Sequence, residues 1–251
     1  MSHQGKTAII TGAGQGIGRV YAQRFAEAGA NVVIAEVNER NGQAVAADIE
    51  AKGGKVLAVK TDVADEKSVV DMVSATVEKF GGADILINNA AMFTRLSRGV
   101  FDTLPVDEWR RVMDVNVTGA FLCARAVLPH MRKKKWGRIV NISSGTVTMG
   151  RPDYLHYVTS KSAAIGMTRA MAREIGKDGI TVNVLLPGLT RTEIDAEGIT
   201  DQVWNLIKAK QCIPREETPD DLAKVALFVT SDDAAFITGQ SFAVDGGVAH
   251  I

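Results

Sequence analysis

Tyr157 and Lys161 stand four residues apart near the start of a segment with helical period, so their side chains share one face. A phenol titrates near pH ~10, too high for a base at neutrality. An ammonium beside it favours the phenolate and lowers that value, which would let Tyr157 move a proton at a hydroxyl or carbonyl oxygen. Ser144 lies just past a β-branched run ending Asn141-Ile142, where its hydroxyl can hold the same oxygen. Its neighbour Ser143 is the competing choice, with a strand-end backbone hydrogen bond as its expected role. A Tyr-x-x-x-Lys pair also occurs as an ordinary surface pair, so the pair needs company before it reads as catalytic. Tyr154 offers no equivalent, because Val158 stands four residues after it.

A second cluster supplies that company. Thr11-Gly12-Ala13-Gly14-Gln15-Gly16-Ile17-Gly18 leaves a strand-like run and opens a helical one. Glycines there permit a tight turn and close backbone approach, while the helix N-terminus offers donors and partial positive charge to a pyrophosphate. The turn departs from the Gly-x-Gly-x-x-Gly dinucleotide fingerprint, since Ile17 stands where the third glycine would fall. Taken alone it also fits a ligand-free turn. Glu36 narrows the reading, because it ends the next strand-like run, where a carboxylate can bond both hydroxyls of an adenosine ribose. The same carboxylate repels a 2′-phosphate. With Val37 following it and Gln15 uncharged, the segment favours NAD over NADP; Arg40 is the one feature on the other side.

These residues need a scaffold, and the hydropathy pattern gives one. Apolar runs at Thr7–Thr11, Asn31–Glu36, Lys55–Lys60, Asp84–Asn88, Arg138–Ile142, Thr181–Leu186 and Ser241–Val244 alternate with helical stretches. Those stretches are Gly16–Ala28, Glu39–Lys52, Lys67–Phe80, Asp107–Lys133, Tyr154–Gly176 and Pro219–Ser231. Strict alternation predicts an α/β fold: a three-layer, Rossmann-type, doubly wound parallel sheet of about seven strands with helices on both faces. No linker or repeat marks a domain boundary, so one dinucleotide-binding domain over 1–251 is expected. The rhythm breaks at about 189–215, where a loop and a short helix near Asp201–Lys210 suit a lid over a site.

Composition narrows the partners. Lys plus Arg and Asp plus Glu balance at 29 each, so no global basic field points to nucleic acid or anionic lipid. The run Arg132-Lys133-Lys134-Lys135 suits a solvated helix C-terminus. Cys123 and Cys212 form neither a metal spacing nor a disulfide framework. No leader is expected before the first strand, and no apolar stretch nears the ~20 residues of a membrane span. A cytoplasmic protein with a small-molecule partner, no nucleic acid and no membrane is the expectation.

Together these residues resemble the short-chain dehydrogenases/reductases, in their single-domain form of about this length. The likeness runs through Thr11–Gly18, Asp62-Val63, Asn88-Asn89-Ala90, Asn116, Ser144, Tyr157, Lys161 and Pro187-Gly188. The resemblance implies a catalytic tetrad of Asn116, Ser144, Tyr157 and Lys161. Tyr157 would be the acid/base and Ser144 would orient substrate. Lys161 would lower the tyrosine pKa and hold the nicotinamide ribose, and Asn116, kinking its helix, would hold a water linking Lys161 to solvent. It further implies adenine contacts at Asp62 and Val63, adenosine-ribose contacts at Asn89 and Ala90, and nicotinamide and pyrophosphate contacts at Pro187, Gly188, Thr190 and Thr192. Ala91 departs from the family's common glycine. A homotetramer is implied, with the two long helical stretches between subunits.

By the same resemblance the substrate wall is Met92, Phe93, Val147, Met149, Tyr154 and Leu189, with Ile194, Trp204 and Ile207 from the lid. That lining suits a medium-sized cyclic, aryl or polyol/sugar secondary alcohol and its ketone. Arg95, Arg151 and Arg191 offer anchors for an anionic substrate, against the alternative of solvated surface arginines. Three readings follow: an NAD-dependent secondary-alcohol dehydrogenase, an NADPH-dependent 3-oxoacyl-[acyl-carrier-protein] reductase, and a non-catalytic dinucleotide-binding protein.

Overall fold

The computed structural model describes residues 3–94, 96–194 and 199–249. Seven strands form one parallel sheet: β1 (Thr7–Thr11), β2 (Asn31–Glu36), β3 (Val56–Lys60), β4 (Ile85–Asn88), β5 (Gly137–Ile142), β6 (Ile180–Pro187) and β7 (Ser241–Val244). Their order is β3-β2-β1-β4-β5-β6-β7. All of β1, β4, β5 and β6 is buried, as expected of strands covered on both faces. The order reverses between β1 and β4, and a crevice opens at the carboxyl ends of strands beside such a point.

Helices α1 (Gly16–Glu27), α2 (Glu39–Ala51) and α3 (Glu66–Phe80) follow the first three strands. The helices α4 (Val106–Met113) and α5 (Gly119–Lys134) precede β5, while α6 (Thr146–Met149) and α7 (Leu155–Ile175) follow it. The last two helices, α8 (Asp201–Lys210) and α9 (Pro219–Val229), lie between β6 and β7. One apolar core sets α1, α2 and α9 on one face of the sheet, built on Ile10, Ile34 and Phe25. The other sets α3, α5 and α7 on the opposite face, around Ile9, Leu86 and Met131.

Helix starts fall into two groups, and α1 belongs with α4, α5, α6 and α7, which have no side-chain cap. Asn38 caps α2, Asp65 caps α3, and Thr218 with Asp221 forms a capping box on α9. Gln15, at the start of α1, makes no side-chain cap and the first turn holds no acidic residue. The helix that opens the glycine turn thus leaves its first N–H groups for something other than its own cap.

Two expectations need correction. The stretch expected as one helix over Asp107–Lys133 is instead α4, a π-turn at Asp114–Thr118, and α5. The run Val106–Lys134 is also long and apolar enough, by length and composition, to cross a membrane. Here it packs on α3, β4 and β5, with Leu122, Cys123 and Val127 in the core.

Candidate active site

Ser144, Tyr157 and Lys161 meet at the carboxyl end of β5. Ser144 follows the strand, and its Oγ accepts from Thr146 N at 3.2 Å and Thr146 Oγ1 at 3.0 Å, so the first turn of α6 folds back onto it. Ser143 Oγ donates to Lys161 O at 2.7 Å, tying the strand end to α7. Tyr157 sits in the first turn of α7 and Lys161 one turn later, both buried. Lys161 Nζ lies 5.7 Å from the Tyr157 ring centre and donates to Ile142 O at 2.9 Å.

Burial dominates the electrostatics of the pair. Burial pushes the Tyr157 phenol up to about 12, outweighing the downward pull of the Ser144 hydrogen bond and the Arg151 charge. Burial also pushes the Lys161 ammonium down to about 8. Ser144 and Arg151 pull the phenol down, and Lys161 keeps its proton at neutrality beside the ring.

Asn116 acts as a clasp. The π-turn aims its side chain so that Oδ1 accepts from Met92 N at 2.7 Å and Nδ2 donates to Ser160 Oγ at 3.0 Å. Ser160 Oγ in turn donates to Tyr157 O at 2.7 Å. Asn116 thereby joins the segment after β4 to the helix that carries Tyr157.

A cleft of about 1070 Å³ runs from this cluster to the glycine turn. At its far end Gly12, Gln15, Ile17 and Gly18 line it, together with Glu36, Asp62 and Val63. Glu36 accepts from Gly14 N at 2.9 Å and from Asn38 N at 3.0 Å, so the turn fixes its carboxylate. Asn89 and Ala90 line the middle, and Pro187, Gly188, Thr190 and Thr192 the opposite wall. Arg40 is exposed and off the lining. Gly16, expected to touch cofactor, is off it too. Its N–H donates to Glu193 Oε1 at 2.9 Å, and a Cβ there would stand 2.7 Å from Ile194 Cδ1. The segment after β6 therefore covers Gly16.

On the substrate side Met92, Phe93, Met149, Leu189 and Trp204 line the cleft, as do Ile194 and Ile207. Tyr154 and Val147 do not. Tyr154, the non-helical residue that precedes α7, is buried beside Tyr157 with ring centres 5.7 Å apart, and its ring packs edge-on against Phe93 and His156. Arg191 lines the cleft but pairs with Glu216 at 2.8 Å and stacks 4.2 Å over Trp204. Arg95 lies outside the described residues.

Known proteins share this fold. The family model described as enoyl-(acyl carrier protein) reductase matches residues 12–249. The chain belongs to the short-chain dehydrogenase/reductase family. A (2S)-[(R)-hydroxy(phenyl)methyl]succinyl-CoA dehydrogenase subunit of Thauera aromatica is 38% identical over 247 residues, 98% of each chain. The 3-ketoacyl-(acyl-carrier-protein) reductase of Brucella melitensis, solved with NADH, superposes with TM-score 0.91 at 33% identity, covering 99% of this chain and 100% of that one. A Serratia marcescens short-chain dehydrogenase/reductase does so with TM-score 0.90 at 33% identity, covering all of both chains.

The short-chain dehydrogenase/reductase family binds nicotinamide dinucleotides, and this chain's residues fit one. Gln15 does not cap the first turn of α1, whose first amide is met instead by the Glu193 carboxylate, and the glycines leave no space that a side chain could share. Thr11 and Asn89, both in the segments that carry the resemblance, shape the turn. Thr11 Oγ1 accepts from Asn89 N and Ala90 N, each at 3.0 Å, and Asn89 Nδ2 donates to Thr11 O at 2.9 Å and Gly12 O at 3.1 Å. A Cβ on Gly18 would lie 2.1 Å from Gly12 O and 2.6 Å from Asn89 Nδ2. Gly18→Ala is accordingly expected to cost ~1–3 kcal/mol and to weaken dinucleotide binding at least about tenfold. Thermal melts and NADH fluorescence titration check this; a wild-type melting temperature with wild-type affinity would refute it.

Proposed function

We propose that this short-chain dehydrogenase/reductase uses NAD to interconvert a secondary alcohol and its ketone. The carrying observation is one cleft that holds Ser144, Tyr157 and Lys161 at one end and Glu36 at the other. Glu36 would hold the adenosine ribose, Asp62 and Val63 the adenine, the first turn of α1 the pyrophosphate, and Lys161 with the Pro187–Thr192 segment the nicotinamide side. Bound there, the dinucleotide supplies the hydride acceptor or donor. Ser144 and Tyr157 bind the substrate oxygen, and Tyr157 takes the hydroxyl proton in oxidation or returns it in reduction. Lys161 Nζ holds a second proton beside the phenol, and Ile142 O fixes its position. The segment 189–215 acts as the lid, and its apolar residues exclude water from the reacting carbon.

The lining by Met92, Phe93, Leu189 and Trp204 supports a cyclic or aryl body next to the alcohol. The name of the Thauera relative specifies such a group, a hydroxyl beside a phenyl ring. The rival reading, an acyl-carrier-protein reductase using NADPH, draws support for its substrate from the name of the Brucella relative, which was nevertheless solved with NADH. Glu36 opposes NADPH, since its fixed carboxylate would face the 2′-phosphate. A protein that only binds the dinucleotide would have no use for the buried Ser144–Tyr157–Lys161 cluster.

Cofactor choice tests the reading. A panel of aryl and cyclic secondary alcohols, followed at the NADH absorbance, is expected to give kcat/KM on the order of 10²-fold higher with NAD than with NADP, since facing like charges cost several kcal/mol. Glu36→Gln should close most of that gap. Equal use of both cofactors by the wild type would overturn the assignment to NAD.

A further inference from the structure

The link between α6 and α7 carries an arginine that no carboxylate among the described residues neutralises. Arg151 lines the cleft beside Met149 and Pro152. Its neighbours hold it in place: Gly150 at φ +58° and Asp153 at φ +62° are both left-handed, folding the link into a tight bend around Arg151-Pro152. Arg151 N donates to Thr146 O at 3.3 Å, closing the end of α6. The guanidinium carbon lies 5.0 Å from the Tyr154 ring centre, and that ring lies 5.7 Å from the Tyr157 ring. A cation on this perch is close enough to the Tyr157 hydroxyl to influence its titration.

Its charge stands out because the other cations of the cleft are occupied. Arg191 is paired with Glu216, and Lys161 is held by Ile142 O. Among the described residues Arg151 enters no ion pair and no side-chain hydrogen bond, and its guanidinium stacks on the ring of Tyr154. A half-buried guanidinium beside an apolar wall, with no carboxylate of its own, suits an anion brought by the ligand.

We propose that Arg151 anchors a carboxylate on the substrate. The preferred substrate is then a hydroxy acid, or its oxo acid, with an aryl or cyclic body against Met92, Phe93 and Trp204. The secondary hydroxyl lies at Ser144 and Tyr157, and the carboxylate a short arm away at Arg151. The proposal rests on the alcohol-dehydrogenase reading of the cleft and specifies its substrate class.

The test compares each acid with its neutral twin. Mandelate, 3-hydroxy-3-phenylpropanoate and 4-hydroxy-4-phenylbutanoate are assayed with NAD against their methyl esters, with the coenzyme A thioester of the second acid as a further arm. At least one free acid is expected to exceed its ester about 10- to 100-fold in kcat/KM, the worth of one charge-assisted bond. Arg151→Gln should bring that acid-to-ester ratio near one, and Arg151→Lys should restore part of it, showing that charge rather than packing is read. Arg151→Gln should also shift the pH profile for the acid toward higher pH, as Tyr157 loses a cation. Equal use of acid and ester by the wild type, or a ratio unmoved by Arg151→Gln, would overturn the anchor and leave the dehydrogenase standing. A clear preference for the thioester over the free acid would place the anion in the carrier's phosphates and overturn it as well. Absence of turnover with acids, esters and neutral alcohols alike would overturn the dehydrogenase reading beneath it.

Discussion

Tyr157→Phe is expected to lower turnover by about 10²- to 10⁴-fold, the usual worth of a positioned acid/base, while the protein stays folded and binds NADH. The substitution deletes one oxygen and keeps the ring. That ring packs 5.3 Å from Phe93 and 5.7 Å from Tyr154, centre to centre, and those contacts survive in phenylalanine. The hydroxyl contributes a hydrogen bond with Ser144, worth ~1 kcal/mol to the fold, so stability changes little. No other hydroxyl in the cluster can take over. Ser144 is held by Thr146, and Tyr154 is turned away from the cleft. Steady-state rates for any substrate found active, beside thermal melts and NADH titration, decide the matter. A folded variant within tenfold of wild type would remove Tyr157 from the chemistry.

Glu217→Gln should stabilise the protein by ~3 kcal/mol at about pH 8, and by nothing near pH 4. Glu217 is buried, and its Oε1 accepts from Thr190 Oγ1 at 2.9 Å, while Oε2 is buried against the Gly188 backbone without a well-aligned hydrogen bond. Tyr21 from α1, Asp221 from α9 and Asp245 after β7 surround it, with the Arg215 guanidinium paired to Asp221 rather than to Glu217. Burial is the main cause that pushes its carboxyl up to about 7 from the ordinary 4.5, and the two aspartates add to it. A carboxyl whose folded pKa is raised stabilises most when protonated. Its contribution is complete below the unfolded value and falls as pH rises from about 4.5 to 7. Glutamine keeps the acceptor for Thr190 and never ionises, so its advantage grows over the same range. Lys161, depressed to about 8, slopes the other way only above that pH and leaves the window clear. At about 2–4 °C per kcal/mol for a chain of this size, the melting gain at pH 8 is roughly 6–12 °C. Parallel pH dependences for the two proteins would show that Glu217 does not titrate on folding.

Much of the architecture is legible because a parallel sheet covered on both faces writes itself as uninterrupted apolar runs. β1 and β2 fall at the expected residues, and α8 occupies its expected span. The site residues at strand ends are legible for the same reason, since Ser144 and Glu36 follow from where those runs stop. The π-turn is not, because one extra residue in a helical turn leaves the apolar period of Val106–Lys134 almost unchanged. The orientation of Tyr154 follows from packing against Phe93 and His156, which no local spacing encodes. Glu216 and Glu217 look alike in sequence, yet one pairs with Arg191 at the surface and the other is sealed beside Gly188. The contact between Glu193 and Gly16 joins residues far apart in the chain, and only the fold brings them together.

That contact has a bearing on how the cleft receives its ligand. Glu193 sets a carboxylate on the first amide of α1, Arg19 holds its other oxygen at 3.2 Å, and Thr11 and Asn89 brace the turn from beneath. The turn therefore keeps its shape with an internal anion as placeholder, much as a mould keeps its form when empty. A dinucleotide arriving at this receptor exchanges one negative charge for another at a surface already set. Little entropy of ordering is left to the binding step, and on the proposed reading selectivity is free to rest on the fit at Glu36.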